Sequence, residues 1–216
     1  MSEIEILKIV ASILALAVAI IGHEIMHGWV AYKYGDNTAK SQGRLSLNPI
    51  VHIDPIGTIL IPAILYITGA PFLFGWAKPV PVNMQTVVRN GGYGAAIAVA
   101  LAGITYNLIL AIFFATILPM FTNPQSLVTA FFTLFIAQSI MINVVLAVFN
   151  LWPIPPLDGS LALMHLAQKL KWYKVVEVYE KIYPYGMLIL FGILFIPQLS
   201  QIMFMPVGWI LDLILP

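Results

Sequence analysis

The pentapeptide His23-Glu24-Ile25-Met26-His27 lies at the far end of an apolar run that begins at Ile4. Ionisable groups inside such a run are costly to keep from water and are functional by default. On an α-helix His23 and His27 are one turn apart, about 6 Å along the axis and about 40° around it. That spacing sets two imidazoles side by side, as a tetrahedral Zn2+ asks of two ligands. Glu24 adjoins the first ligand, where it can take a proton from a water beside the ion. The competing reading, two histidines and an acid in a polar patch of helix, suits a soluble helix better than this one.

The rest of the composition narrows the class. Of 216 residues, 61% are hydrophobic and only 9% charged, against about 25% charged in soluble domains. The chain is therefore expected to be an integral membrane protein with one transmembrane domain over residues 1–216. A net charge of +1 and the lack of a basic cluster exclude a nucleic-acid partner. Without cysteine there is no disulfide framework, and any metal must be held by His, Asp or Glu. Glu3 and Glu5, with no small-residue cleavage site behind them, do not read as a cleavable signal.

Taken in order, a first segment from about Ile4 to Tyr34 is apolar enough to span as far as Gly22, and Gly35-Asp36-Asn37 ends it. At about 45 Å it exceeds the ~30 Å hydrocarbon core, so His23 lies in the membrane near one face. Residues 36–55 are polar. Within them Gly43–Asn48 alternates like a short strand, and His52 is expected to form hydrogen bonds rather than bind metal. Ile56–Trp76 is apolar but broken by Pro62 and Pro71, and Trp76–Asn83 alternates with prolines, as an extended edge strand or polyproline segment does. Two lipid-grade helices follow, about Gly91–Leu118 with Asn107 and about Leu127–Leu151 with Asn143 and Asn150. The prolines of Asn150-Leu-Trp-Pro-Ile-Pro-Pro-Leu-Asp-Gly159 then break the helix and aim Asp158. Residues 160–183 have the spacing of an amphipathic surface helix, and 184–216 form a C-terminal hydrophobic segment in which 198–216 either spans or lies at the interface.

Charge asymmetry orients the chain. Lys33, Lys40 and Arg44 follow the first segment, and Lys169, Lys171 and Lys174 follow Asp158. The positive-inside rule places both stretches in the cytoplasm. The chain between them must then cross an even number of times, so one of its three apolar segments is not a span. The proline- and glycine-broken Ile56–Trp76 is the natural re-entrant element. The expected architecture is an all-α polytopic helical bundle with a re-entrant segment and short extended strands near the cytoplasmic face. The same parity brings Asp158 to the face of His23 and His27 as a third ligand, its alternative role being a helix cap.

Together, His23-Glu24-Ile25-Met26-His27 and the series Asn150, Pro153, Pro155, Asp158, Gly159 resemble the two motifs of the site-2 protease family of intramembrane zinc metalloproteases. Gly43-Arg44-Leu45, His52-Ile53-Asp54-Pro55-Ile56-Gly57 and Ala77-Lys78-Pro79-Val80-Pro81-Val82-Asn83 are similar to blocks of its short members. The likeness runs from about residue 15 to 165. It implies one zinc ion per chain held by His23, His27 and Asp158, Glu24 as the catalytic acid/base, and Asn150, with Asn107, positioning substrate. It also implies a multi-pass protease of the cell membrane without a PDZ or regulatory domain, cleaving transmembrane protein substrates in the lipid bilayer near the cytoplasmic face. Where the family often has Ala-Gly-Pro-x-x-Asn, this chain has Ala102-Gly103-Ile104-Thr105-Tyr106-Asn107, and its middle helix is expected to run straighter there. A metal-ion transporter and a catalytically inactive helix-binding relative are the alternative functions.

Overall fold

The computed structural model describes residues 2–70, 72 and 74–215. The first helix, α1 (Glu3–Lys33), opens with a capping box between Ser2 and Glu5 and has both Glu3 and Glu5 in its first turn, where their charge complements the helix dipole. Its buried residues Ala11, Ala15, Ala19, His23 and Ala31 recur at multiples of four, one ridge along the helix. The alanines let α1 approach its neighbours closely, as membrane helices without a hydrophobic drive to associate require. The ridge then carries the histidines on the same inward face.

Beyond α1 come the short helix α2 (Thr38–Ser41) and a 3-10 turn at Pro49–His52. A π-helical turn, Pro55–Leu60, leads into α3 (Ile61–Ile67). Together Pro55–Ile67 reaches about 20 Å, well short of a hydrocarbon core. Pro71 of this segment lies outside the described residues. The bundle is completed by α4 (Met84–Ile117) and α5 (Leu127–Leu151), which pack on each other and on α1. Next come α6 (Asp158–Lys169), laid against α4, then α7 (Tyr173–Ile182), α8 (Gly186–Phe195) and α9 (Pro197–Ile214). Val207 of α9 joins Ala111, Val144 and Val148 in a core cluster, while Leu190 and Leu194 of α8 pack with Leu157 and Met203. Among the described residues, four helical stretches are long and apolar enough to cross a membrane: Glu3–Lys33, Met84–Phe121, Leu127–Leu151 and Tyr173–Phe195. The chain is an all-helical membrane protein.

Three expectations need correction. Neither Gly43–Asn48 nor Trp76–Asn83 forms a strand, and none occurs among the described residues. In the first, side chains bond their own backbone: Ser46 Oγ accepts from the Asn48 N–H and Asn48 Oδ1 from the Ile50 N–H, a turn chemistry that competes with a ladder. In the second, Pro79 and Pro81 have no N–H to donate, and the remaining groups are bound by scattered partners rather than one neighbouring strand. The amphipathic stretch 160–183 is two helices, because Lys171 adopts a left-handed φ of 58° and ends α6. Finally, α4 begins seven residues before Gly91. Its kink falls at Gly92 (φ 68°, ψ −173°), a conformation only glycine adopts readily. Ala102–Asn107 is regular helix.

Candidate metal centre

The α1 ridge delivers His23 and His27 to the bundle interior, where their rings meet edge to face. His23 is held from behind. Its Nδ1–H donates to Asn107 Oδ1 (2.6 Å), and the Asn107 amide donates in turn to Ala19 O (3.2 Å) and Asn143 Oδ1 (2.7 Å). Asn143 passes its own amide to Ser139 O (2.8 Å). Gly103 lies flat against the His23 imidazole, where an added Cβ would come within 2.5 Å of three ring atoms. The Nδ1–H of His27 donates to Val99 O (2.7 Å). Both Nδ1 partners are oxygens that only accept, so in each neutral ring the proton sits on Nδ1 and the Nε2 lone pair is free.

Those two lone pairs converge on Asp158. Nε2 of His23 and His27 are 3.1 Å apart, and Asp158 Oδ2 lies 3.0 Å from the first and 3.3 Å from the second. Oδ2 is buried and receives no hydrogen bond. Three acceptors pressed together with no proton between them are mutually repulsive unless a cation joins them. Ligands about 2.0–2.1 Å from a tetrahedral zinc are about 3.3 Å from one another, close to the separations found. The donor set of two imidazole nitrogens and one carboxylate oxygen suits that ion, and His23, His27 and Asp158 form the metal-competent cluster of the described residues.

The alternative of a helix cap for Asp158 fails on geometry. Asp158 is the first residue of α6, the cap position belongs to Leu157, and no side chain caps this helix. The following Gly159 is needed for contact: a Cβ there would strike the backbone carbonyl of Leu151 at the end of α5. The Asp-Gly pair thus presses the start of α6 onto the end of α5 and turns the carboxylate toward α1.

Glu24 faces the same space. Its Oε2 accepts the Val80 N–H (2.9 Å), tying the extended segment after Trp76 to α1. A cavity of about 700 Å3 opens in front of the cluster, lined by His23, Glu24, His27, Asn150 and Asp158, with Trp76, Phe149 and Tyr183 among its apolar walls. Asn150 reaches it, and its amide also donates to Leu146 O. Asn107 does not line it: wholly buried, it braces His23 instead of facing a substrate. His52 is buried apart from the cluster and donates from Nε2 to Ser46 O (2.8 Å). Asn143 and the backbone of Val80 and Val99 were not singled out as site residues on the sequence. For Asn143 a signal exists, since an amide inside a lipid-grade helix must find a partner. The backbone contacts leave no mark in the residue pattern.

Curated proteins carrying the name "Putative zinc metalloprotease" align with the chain, three of them from different genera. YwhC of Bacillus subtilis is 45% identical over 152 residues, 68% of this chain and 64% of its own length. Rip2 of Mycolicibacterium smegmatis is 29% identical over 194 residues, 88% and 68% of the respective chains. MJ0611 of Methanocaldococcus jannaschii is 34% identical over 155 residues, 72% of this chain and 70% of its own. The chain belongs to the site-2 protease family. The alignment spans just under two thirds of the Bacillus family member. No family model matches the sequence, and no solved structure is significantly similar to it. The metal-competent cluster of this chain joins the helix bearing H-E-x-x-H to an Asp-Gly at the start of α6.

Proposed function

We propose that the protein is a zinc-dependent endopeptidase of the cell membrane that cleaves transmembrane segments of other proteins near the cytoplasmic face. The convergence of His23 Nε2, His27 Nε2 and Asp158 Oδ2 with Glu24 beside them is the observation that carries this reading. His23, His27 and Asp158 hold the ion, and the Nδ1 hydrogen bonds to Asn107 and Val99 keep both imidazoles aimed. Zinc held there supplies Lewis acidity toward water and a carbonyl oxygen. Glu24 accepts the proton of the attacking water and returns it to the departing amine, so that water and one peptide bond become a carboxylate and an amine. The Val80 N–H occupies Oε2 and leaves the second carboxylate oxygen for this exchange. Asn150, on the cavity wall, is suited to orient the substrate carbonyl. A substrate helix hides its carbonyls in i→i−4 bonds and must unwind before entering.

In this topology Pro55–Ile67 enters and leaves on one side, α4 and α5 form the crossing pair, and the loops around Lys40, Lys78 and Lys171 face the cytoplasm. The decisive experiment is co-expression with a panel of single-span membrane proteins, comparing wild type with Glu24→Gln. An amide keeps the hydrogen bond from Val80 but cannot take a proton. The variant should retain zinc and fold while losing about 10²–10⁴-fold in cleavage. Near-normal cleavage by Glu24→Gln refutes the mechanism. Cysteines placed singly at Ser2, Lys40, Lys78, Asn123 and Lys171 in this cysteine-free chain test the orientation. An impermeant reagent on intact cells should label only Ser2 and Asn123, and labelling at Lys78 and Lys171 would mean that Pro55–Ile67 belongs to a span.

A further inference from the structure

Residues 76–81 run along the cavity wall with two very different edges. Lys78 and Val80 each precede a proline, which keeps them out of the helical region and extends the chain. On one edge every second residue is bound. The Trp76 N–H donates to Gly57 O (3.1 Å), the Lys78 N–H to His52 O (2.8 Å) and the Val80 N–H to Glu24 Oε2 (2.9 Å). Trp76 O accepts from Thr58 Oγ1 (2.9 Å) and Lys78 O from Arg44 Nη2 (2.8 Å). This period of two is that of extended backbone, so Ala77, Pro79 and Pro81 present their polar groups on the opposite edge. Among the described residues the carbonyls of Ala77, Pro79 and Pro81 accept no hydrogen bond, and Ala77 and Pro79 line the cavity. Two of the three residues have no N–H. The edge therefore offers three acceptors and a single donor, that of Ala77.

We infer that this edge is a substrate subsite of one-way polarity. It binds an unwound polypeptide segment through the segment's own N–H groups and, at Pro79 and Pro81, withholds the donors that would bind its carbonyls. The inference rests on the protease reading above and specifies which backbone groups of the substrate that site holds. An ordinary edge strand exchanges N–H and C=O with its partner in pairs. Opposite Pro79 and Pro81 a substrate residue donates and receives nothing, so its carbonyl keeps its lone pairs for the electrophile in the cavity. Binding and reaction thus use different substrate groups. A specificity rule follows: proline is rejected at the two substrate positions, two residues apart, that donate to Ala77 O and Pro79 O, because it would leave a desolvated acceptor unpaired.

The test uses the full chain in lipid vesicles and a synthetic peptide matching a segment cleaved in the co-expression panel. Amide-to-ester replacements are made one at a time through ten successive positions. Loss of an N–H should raise KM about tenfold at positions spaced by two, with kcat little changed and the residues between unaffected. Pro79→Ala restores a donor, so KM and kcat should fall together, an effect a packing defect does not produce. Sensitivity spaced by three or four residues, no sensitivity at any position, or a raised KM in Pro79→Ala overturns the subsite. Failure of the protease reading is seen separately, as no cleavage of any panel member. In that case disulfide cross-linking of Glu24→Gln, Ala77→Cys to single-cysteine panel proteins still reads the register. Alternate positions support the edge, and helical spacing or no cross-link rejects it.

Discussion

Two levels of the same helix pair, α4 and α5, are built on opposite principles. At one, Asn107 and Asn143 are wholly buried and bonded in series from His23 to Ser139 O. Two turns further along α4, Phe114 and Ala115 pack with Ile136 and Ile140 in a cluster that is apolar throughout. In a bilayer the apolar cluster gains little over lipid contact, since lipid tails are as apolar as Ile or Phe. It contributes shape and van der Waals contact. The amide series behaves differently. Each member has one geometry that satisfies its neighbours, and displacing any of them strands a polar group away from water. The polar level therefore sets the register of three helices and the angle of one imidazole, while the apolar level fills space.

The contrast can be broken first at its chemical end. Asp158→Ala should abolish stoichiometric zinc binding, and with it activity, whereas loss of a helix cap costs only about 1 kcal/mol. Metal analysis of the purified variant decides, and full zinc content with slight thermal destabilisation would return Asp158 to a structural role. Next comes Asn107→Leu, of similar volume but unable to accept from His23. Zinc affinity should drop about 10–100-fold, as when a ligand's hydrogen-bonding partner is removed, read by competition with a chelator. Ile140→Leu is the matched change at the apolar level. It should leave zinc affinity unchanged and cost less than about 1.5 kcal/mol, and a loss of zinc there equal to that of Asn107→Leu would erase the distinction.

The smallest effect lies outside the bundle, at Asp36. Burial pushes its carboxyl up, but hydrogen bonds from Thr38 Oγ1 (2.5 Å), the Thr38 N–H and the Asn83 N–H (2.6 Å) outweigh this and hold it below the usual carboxylate range. A depressed folded value means stability that is present above the ordinary carboxylate range and disappears as pH falls through the folded value. Thermal unfolding in detergent should therefore show a shallower acid decline below about pH 4 in Asp36→Asn than in wild type. Parallel acid limbs would show that the Asp36–Asn83 tie adds nothing.

Much of this was legible in the residues. His23 and His27 need only the helical repeat to stand together, and a long apolar run can scarcely be anything but a helix in lipid, so α1 and α5 are found within a residue of where hydropathy puts them. That Asp158 shares their face followed from charge and parity. What could not be read locally depends on partners distant in sequence. Alternation in Trp76–Asn83 correctly marks an extended chain, but a strand exists only if a neighbour supplies a ladder. Here the neighbours are Gly57 O, His52 O, the Glu24 carboxylate and Asp36, contributed by four different places. The same holds for Asn107, which as a bare polar residue in an apolar helix suits a substrate ligand or a brace equally. Periodicity determined the helices, and the helical repeat together with charge parity marked the candidate ligands, because those follow from the chemistry of each residue and its near neighbours. Tertiary packing alone decided which lone pairs converge, since tautomer, ring angle and the single donor of Val80 are set by contacts between segments that the sequence keeps far apart.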